Sequence, residues 1–256
     1  MSQPDIYFAE NCDSALQQAS DRARSTFKYF WRELSWEYRR IIPGLDLAAV
    51  KLPFVNPHPH PDAPDVEQMW IDQIDFDGHN ISGRLINEPQ WIDSAHPGDT
   101  VTVPFAQMTD WLYAIAGNVY GAHTVNALRV QMTPQEQAEH DAAWGLEFGN
   151  PQKIKISPYF EADAIEHPEM LPEHPMSENM AERIEQMLIN NPEIATSIDE
   201  SGWSLLHREA LAGNLTPVRL LLAQGADPDL KNSQGDSARD FAQRMGWPKI
   251  CQCFNV

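Results

Sequence analysis

Three residues recur at one interval near the C-terminus: Gly202 as Gly235, Ser204 as Ser237 and Gly213 as Gly246, each 33 positions on. A fixed period of this length marks a repeat array, in which each unit buries its apolar face only against its neighbours. Flanking copies with more polar faces are therefore expected as caps. Ser204 and Ser237 precede helical runs, where a hydroxyl accepts from the free N–H groups of a first turn. Gly213 stands where a helix can end in a left-handed residue. Thr216-Pro217 then opens a second helix that buries Val218, Leu221 and Leu222, and Gly225 ends it.

The run Asp199-Glu200-Ser201-Gly202-Trp203-Ser204-Leu205-Leu206-His207, followed by Ala210, Gly213-Asn214, Val218, Leu221-Leu222 and Gly225-Ala226-Asp227-Pro228, resembles one ankyrin repeat over residues 199 to 232. The resemblance implies that Ser204 and His207 fill the family's Thr-Pro-Leu-His segment, whose hydroxyl and imidazole bond within and between repeats. His207 is then structural, not catalytic. Leu205 departs from the family's Pro, and Glu209 from its Ala. Arg239 replaces an expected Leu, which suits a polar terminal cap. Ile184, Met187, Leu188 and Ile189, before Asn191-Pro192, suggest a degraded preceding unit. Two to three repeats are expected over residues 177–256.

Upstream, residues 13 to 41 read as one long helix or two consecutive ones. Leu16, Ala19, Ala23, Phe27, Phe30, Leu34, Tyr38 and Ile41 recur at three- and four-residue steps. Asp13 or Ser14 can cap the start, and Pro43-Gly44 stops the run. Arg22, Arg24, Lys28, Arg32 and Arg39 form an opposite face that reads as solvated, while Trp31 and Trp36 lie off the apolar stripe and suggest cover on more than one side. His58 and His60 lack a third ligand nearby, so no metal is expected there.

Residues 66 to 130 read as β-rich, with Val66, Trp70, Ile74 and Phe76 on one face and Asp77-Gly78 as a hairpin signal. Ile81, Gly83 and Leu85 continue on the partner strand, and Pro97-Gly98-Asp99 turns into the alternating Val101, Val103 and Phe105. Trp111 to Ile115 and Val119 to Leu128 are expected as strands around Ala116-Gly117-Asn118. Adjacent hairpins of this kind argue for an antiparallel sheet. Thr133-Pro134-Gln135-Glu136 has capping-box spacing and opens a helix over 134 to 143. Five prolines between 150 and 176 mark a linker, and residues 161 to 200 carry eleven acidic side chains against one basic, Arg183. That block is either a surface for a basic partner or a solvated linker and cap.

Segments of the first two thirds also resemble a bacterial family, the domain of unknown function 2314, over roughly residues 15 to 155. They are the stretches 26–37, 67–71, 83–89 and 109–113, with Gly121-Ala122-His123-Thr124-Val125-Asn126 and His140-Asp141-Ala142-Ala143-Trp144-Gly145. The resemblance implies a small α+β fold and no settled activity. Related families occur among immunity proteins that neutralise bacterial toxins, an association by fold that does not by itself fix function. Glu67, Asp75, Asp77, Asn87, Glu88, Asp110, His123, Asn126, His140 and Asp141 are the candidate acid–base groups. No Gly-rich phosphate loop, nucleophile elbow or His-Glu-x-x-His pattern accompanies them, and Cys12 is the one thiol of this region.

The expected fold is α+β: a long N-terminal helix with an antiparallel sheet over residues 1–155, a Pro-rich acidic linker over 156–176, then a short all-α ankyrin-repeat stack. The net charge of −19 repels nucleic acid and anionic membranes and favours a basic partner. The three cysteines make no disulfide framework, and neither a signal peptide nor a long apolar run is visible, which points to the cytoplasm. The reading is a protein-binding module, most concretely an immunity or inhibitor protein for a basic bacterial toxin, with no catalytic residue, cofactor or metal. The alternative is an enzyme or small-ligand domain in residues 15–155 with the repeats as a targeting arm. Asp199, Glu200, Trp203, Arg208 and Asp236 at the repeat turns are the candidate contacts, although Trp203 serves equally well as packing against the next turn.

Overall fold

A computed structural model describes residues 14–56 and 64–255. Cys12, Asp13, His58 and His60 lie outside the described residues. By internal packing the chain divides into two units, Met1–Phe30 with Arg40–Ser157, and Trp31–Arg39 with Pro158–Val256. The architecture is α+β, mixing helices with an antiparallel sheet.

The first unit holds a six-stranded sheet. Its strands are β1 (Leu47–Val55), β2 (Val66–Phe76), β3 (Asn80–Leu85), β4 (Thr100–Pro104), β5 (Asp110–Ile115) and β6 (Asn118–Gly121), in the order β4-β3-β2-β1-β5-β6. All neighbours pair antiparallel. β1 is central and covered on both faces, which is why it reads as an almost unbroken apolar run interrupted by Lys51. Helix α1 (Ser14–Glu37) lays Phe27 and Phe30 on one sheet face, Phe27 edge-on to Phe76 at 5.1 Å and Phe30 5.5 Å from Trp111. The opposite face buries Ala49, Trp70, Leu112 and Val119 beneath Val125 and Phe148. Each of the larger side chains so buried contributes about 1.5–3 kcal/mol.

Three expectations change here. Trp70 and Phe76 point to opposite faces, because a bulge between Asp72 and Asp75, with Gln73 at φ 51°, inserts one residue and inverts the alternation. Val119 to Leu128 is not one strand: β6 stops at Gly121, Ala122 adopts a left-handed φ of 57°, and α2 (His123–Arg129) begins. The start of that helix is capped from a distant strand, so no local signal announces it. Lastly, α1 ends at Glu37, leaving Tyr38 and Ile41 exposed beyond it. The capping box of Thr133 and Glu136 is present as expected and starts α3 (Pro134–Trp144).

The second unit is helical. It comprises α4 (Pro175–Asn179), α5 (Ala181–Asn190), α6 (Leu205–Ala212), α7 (Leu215–Ala223), α8 (Ala238–Met245) and α9 (Pro248–Cys253), with Trp31–Arg39. Turns of two residues, Gly213-Asn214 and Gly246-Trp247, join α6 to α7 and α8 to α9. Ser204 and Ser237 cap α6 and α8 through capping boxes, and Gly213 and Gly246 end them in left-handed conformations. The 33-residue period is thus carried by matched helix starts and stops. α6 packs on both α7 and α8.

The basic face drawn for α1 is not simply solvated. Arg32 is buried with its guanidinium 5.2 Å from the Trp247 ring, and Arg39 pairs with the buried Glu209 carboxylate at 2.8 Å. The window 156–176 also holds buried side chains, Ile156, Ser157, Leu171 and His174.

Candidate functional site

In the first unit, β5 begins with Asp110, which is fully buried. Its Oδ1 accepts from the backbone N–H groups of Trp111 and His123, and its Oδ2 from the Thr124 N–H and hydroxyl, all at 2.6–2.9 Å. A carboxylate so engaged caps the start of α2, and its four accepted hydrogen bonds leave little capacity for a ligand. Thr124 Oγ1 also accepts from Lys51 Nζ at 2.7 Å. Burial pulls the Lys51 ammonium below its ordinary pKa, against the opposing pull of Asp110. His123 places Nε2 3.0 Å from Thr26 Oγ1, whose hydroxyl donates to the Arg22 carbonyl. The ring proton therefore sits on Nε2, and Nδ1 is buried with no hydrogen-bond partner among the described residues. Desolvation is the first cause that lowers the His123 pKa to about 4.

A second cluster gathers on α2 and α3. Arg129, buried, donates to Asn126 Oδ1 at 2.7 Å, to the Gly149 carbonyl at 3.2 Å and to Asp141 Oδ2 at 2.9 Å. His140 Nδ1 lies 2.9 Å from the other Asp141 oxygen, and its ring is edge-on to Phe148 at 4.9 Å. Arg129, Gln137 and Asp141 line an open cleft of about 500 Å3 with Leu146, Glu147 and Gly149. Among the candidate acid–base groups, the fold thus joins Asp110 to His123, and Asn126 to His140 and Asp141 through Arg129. The others are spent on turns: Glu67 accepts from the Gln90 and Trp91 N–H groups, Asn87 from the Trp70 N–H, and Asp77 from the His79 and Asn80 N–H groups. Asp75 and Glu88 are exposed. Among the described residues, no group of three or more His, Cys, Asp or Glu side chains is placed to hold a metal ion.

In the second unit, Asp199, Glu200, Trp203 and Arg208 come together at one turn. Asp199 Oδ1 accepts from the Ser201 and Trp203 N–H groups, and Arg208 bonds the other oxygen at 2.7 Å. The Trp203 N–H is the main cause holding the Asp199 carboxyl below its usual range. Trp203 is half-buried, stacked on Phe241 at 4.8 Å, with the Arg208 guanidinium 5.5 Å from its ring. It is thus a packing residue with one open edge. Glu200 is exposed, whereas Asp236 is buried against Arg244 and offers no free carboxylate. His207 holds adjacent periods together. Its Nδ1 accepts from the Ser204 N–H at 3.0 Å, and Nε2 donates to the Leu230 carbonyl at 2.9 Å. Burial lowers its pKa, which keeps the acceptor nitrogen free of a proton.

The sequence matches the family described as "Uncharacterized protein conserved in bacteria (DUF2314)" over residues 13–148, more than half of the chain. The chain belongs to the DUF2314 family. It is 45% identical over 245 residues to a Neisseria meningitidis serogroup B protein named "Putative ankyrin repeat protein", covering 96% of this chain and 94% of that one. It is also 24% identical over 94 residues to the uncharacterized protein YegJ of Escherichia coli K12, covering 37% of this chain and 57% of that one.

Within this DUF2314 chain, sequence reading missed Lys51, Thr124 and Arg129. Lys51 had a signal, being the one charge inside the apolar run of β1. Arg129 had none, since a basic residue near a helix end is ordinary. Glu209, a departure from the repeat pattern, is explained by its partners: its carboxylate binds Arg39 and the Asn214 side chain, and Asn214 accepts from Trp36 Nε1 at 2.8 Å.

Proposed function

We propose that the chain works by binding another protein through its C-terminal helical pairs, read as a short ankyrin-type stack, and that its partner is a basic bacterial toxin which it neutralises. The observation that carries the reading is the 33-residue offset at which capping serines, left-handed glycines and the His207-to-Leu230 bond tie one helical pair to the next. The name of the Neisseria relative, similar along nearly the whole chain, supports it. Ten of the eleven carboxylates between residues 161 and 200 are exposed, an acidic field that would speed encounter with a basic surface. Asp199, Glu200, Arg208 and the open edge of Trp203 are the proposed contacts; Asp236 is withdrawn from that set because it is buried.

In this reading the chain has no catalytic role. Coexpression with its toxin should restore growth, and the purified pair should form a 1:1 complex that weakens as salt is raised. A toxin whose killing continues unchanged under coexpression, with no complex formed, removes the toxin assignment. A second reading, a small-ligand or catalytic domain in residues 15–155 with the repeats as a targeting arm, is favoured by the cleft beside Arg129 and Asp141. Arg129→Met should then abolish binding of a small ligand in that cleft, while circular dichroism shows the chain still folded.

A further inference from the structure

The two edges of the sheet are treated differently. At β6 the chain covers its own edge: the Val119 N–H donates to the Glu147 carbonyl at 3.0 Å and the Gly121 N–H to the Lys155 carbonyl at 2.8 Å. At β4 nothing comparable is found among the described residues. The Leu85 N–H donates to the Asp99 carbonyl and the Phe105 N–H to the His79 carbonyl, so the alternation of antiparallel pairing turns the backbone groups of Val101 and Val103 toward β3. The N–H and C=O groups of Thr100 and Thr102, and the carbonyl of Pro104, therefore face outward, and all three residues are exposed.

Open edges in natural sheets are commonly guarded by charge, above all lysine. Between Ile92 and Gln107 this chain has no Lys or Arg, and the strand itself, Thr-Val-Thr-Val-Pro, is uncharged and strongly β-prone. Pro104 limits the ladder at one end because it supplies no donor. We infer that β4 is a docking edge for an extended segment of a partner protein, which adds a seventh strand beside Thr100–Pro104. This inference stands apart from the helical repeats and holds whatever docks on them.

The charge around the edge selects the occupant. Asp93 and Asp99 are exposed just before β4, while Arg84, opposite Thr100 on β3, is paired with Asp72 at 3.1 Å. A segment of alternating Val and Thr with basic ends fits: its apolar side chains continue the face that carries Val101 and Val103, and the end that lies beside Thr100 meets Asp93 and Asp99. A second copy fits poorly. Each chain brings a net charge of −19 and would set its own Asp93 and Asp99 against those of its copy.

The test uses the full chain and three synthetic peptides of alternating threonine and valine: one with a lysine at each end, one with a glutamate at each end, and one lysine-ended but N-methylated at the amides facing Thr100 and Thr102. The lysine-ended peptide should slow hydrogen exchange of the Thr100 and Thr102 amides by about tenfold or more and shift both in NMR spectra. The glutamate-ended peptide should bind about tenfold more weakly at low salt. N-methylation should abolish binding without any change to the protein, and Thr102→Pro, which deletes one outward N–H, should do the same. Protection absent at Thr100 and Thr102, binding that survives N-methylation, or equal affinity for both charged peptides overturns the inference. So does concentration-dependent dimerisation that Thr102→Lys abolishes, which would make the edge a self-association site.

Discussion

Asp110 uses both oxygens to start a helix that its own strand does not contain. Asp110→Asn puts an amide donor against the Thr124 N–H or the His123 N–H, and should cost about 2–4 kcal/mol in urea unfolding. His123 makes the same region sensitive to acid. The unfolded ring takes a proton near pH 6.5 and the folded one near 4. Between those values the unfolded state binds more protons, so the fold weakens as pH falls, by about 3 kcal/mol over the window. His123→Gln should flatten that slope in urea midpoints measured from pH 7 to pH 4; an unchanged slope would move the effect to other groups. Glycines give a sharper contrast. At Gly213, φ +81°, an added Cβ lies 2.3–2.7 Å from the Trp247 ring, whereas at Gly225, φ +85°, it meets nothing within 4 Å. Gly225→Ala should cost about 1 kcal/mol of backbone strain, and Gly213→Ala about 3 kcal/mol or more, by thermal unfolding.

At the scale of elements, helix ends decide where the chain turns. Ser237 Oγ accepts from the Asp240 N–H and Asp240 Oδ2 accepts from the Ser237 N–H, the reciprocal pair that opens α8. Hydrogen bonds from Lys231 and Ser237 hold the Asp240 carboxyl far below the usual carboxylate range. Ser237→Ala should lower stability by about 1–2 kcal/mol, and circular dichroism on heating checks it. These caps involve residues three apart, which is why they are visible in the sequence. The start of α2 depends on a carboxylate 13 residues away, and the bulge in β2 on pairing with β3, so neither has a local signature. β1 escaped notice because burial on both faces removes the alternation by which a strand is recognised.

At the scale of the whole molecule, a net charge of −19 works against compactness. Raising salt from about 20 to 200 mM should increase the melting temperature by screening self-repulsion, while slowing association with the basic partner proposed above. A melting temperature indifferent to salt would mean that the charges are already balanced by local pairs such as Arg239 with Asp229.

Sequence alone determined the period of the C-terminal helical pairs, their serine starts and glycine stops, and the hairpin character of the sheet, because those depend on residues within a few positions of one another. The tertiary structure decided what sequence could not reach. It turned Asp236 inward to Arg244 and left Trp203 half-open on Phe241. It also gathered Lys51, Asp110 and Thr124 at one buried point and left β4 uncovered by any of the described residues. Each of those outcomes depends on which distant backbone or side chain arrives alongside, and burial there sets whether a charge is paired, neutralised or exposed.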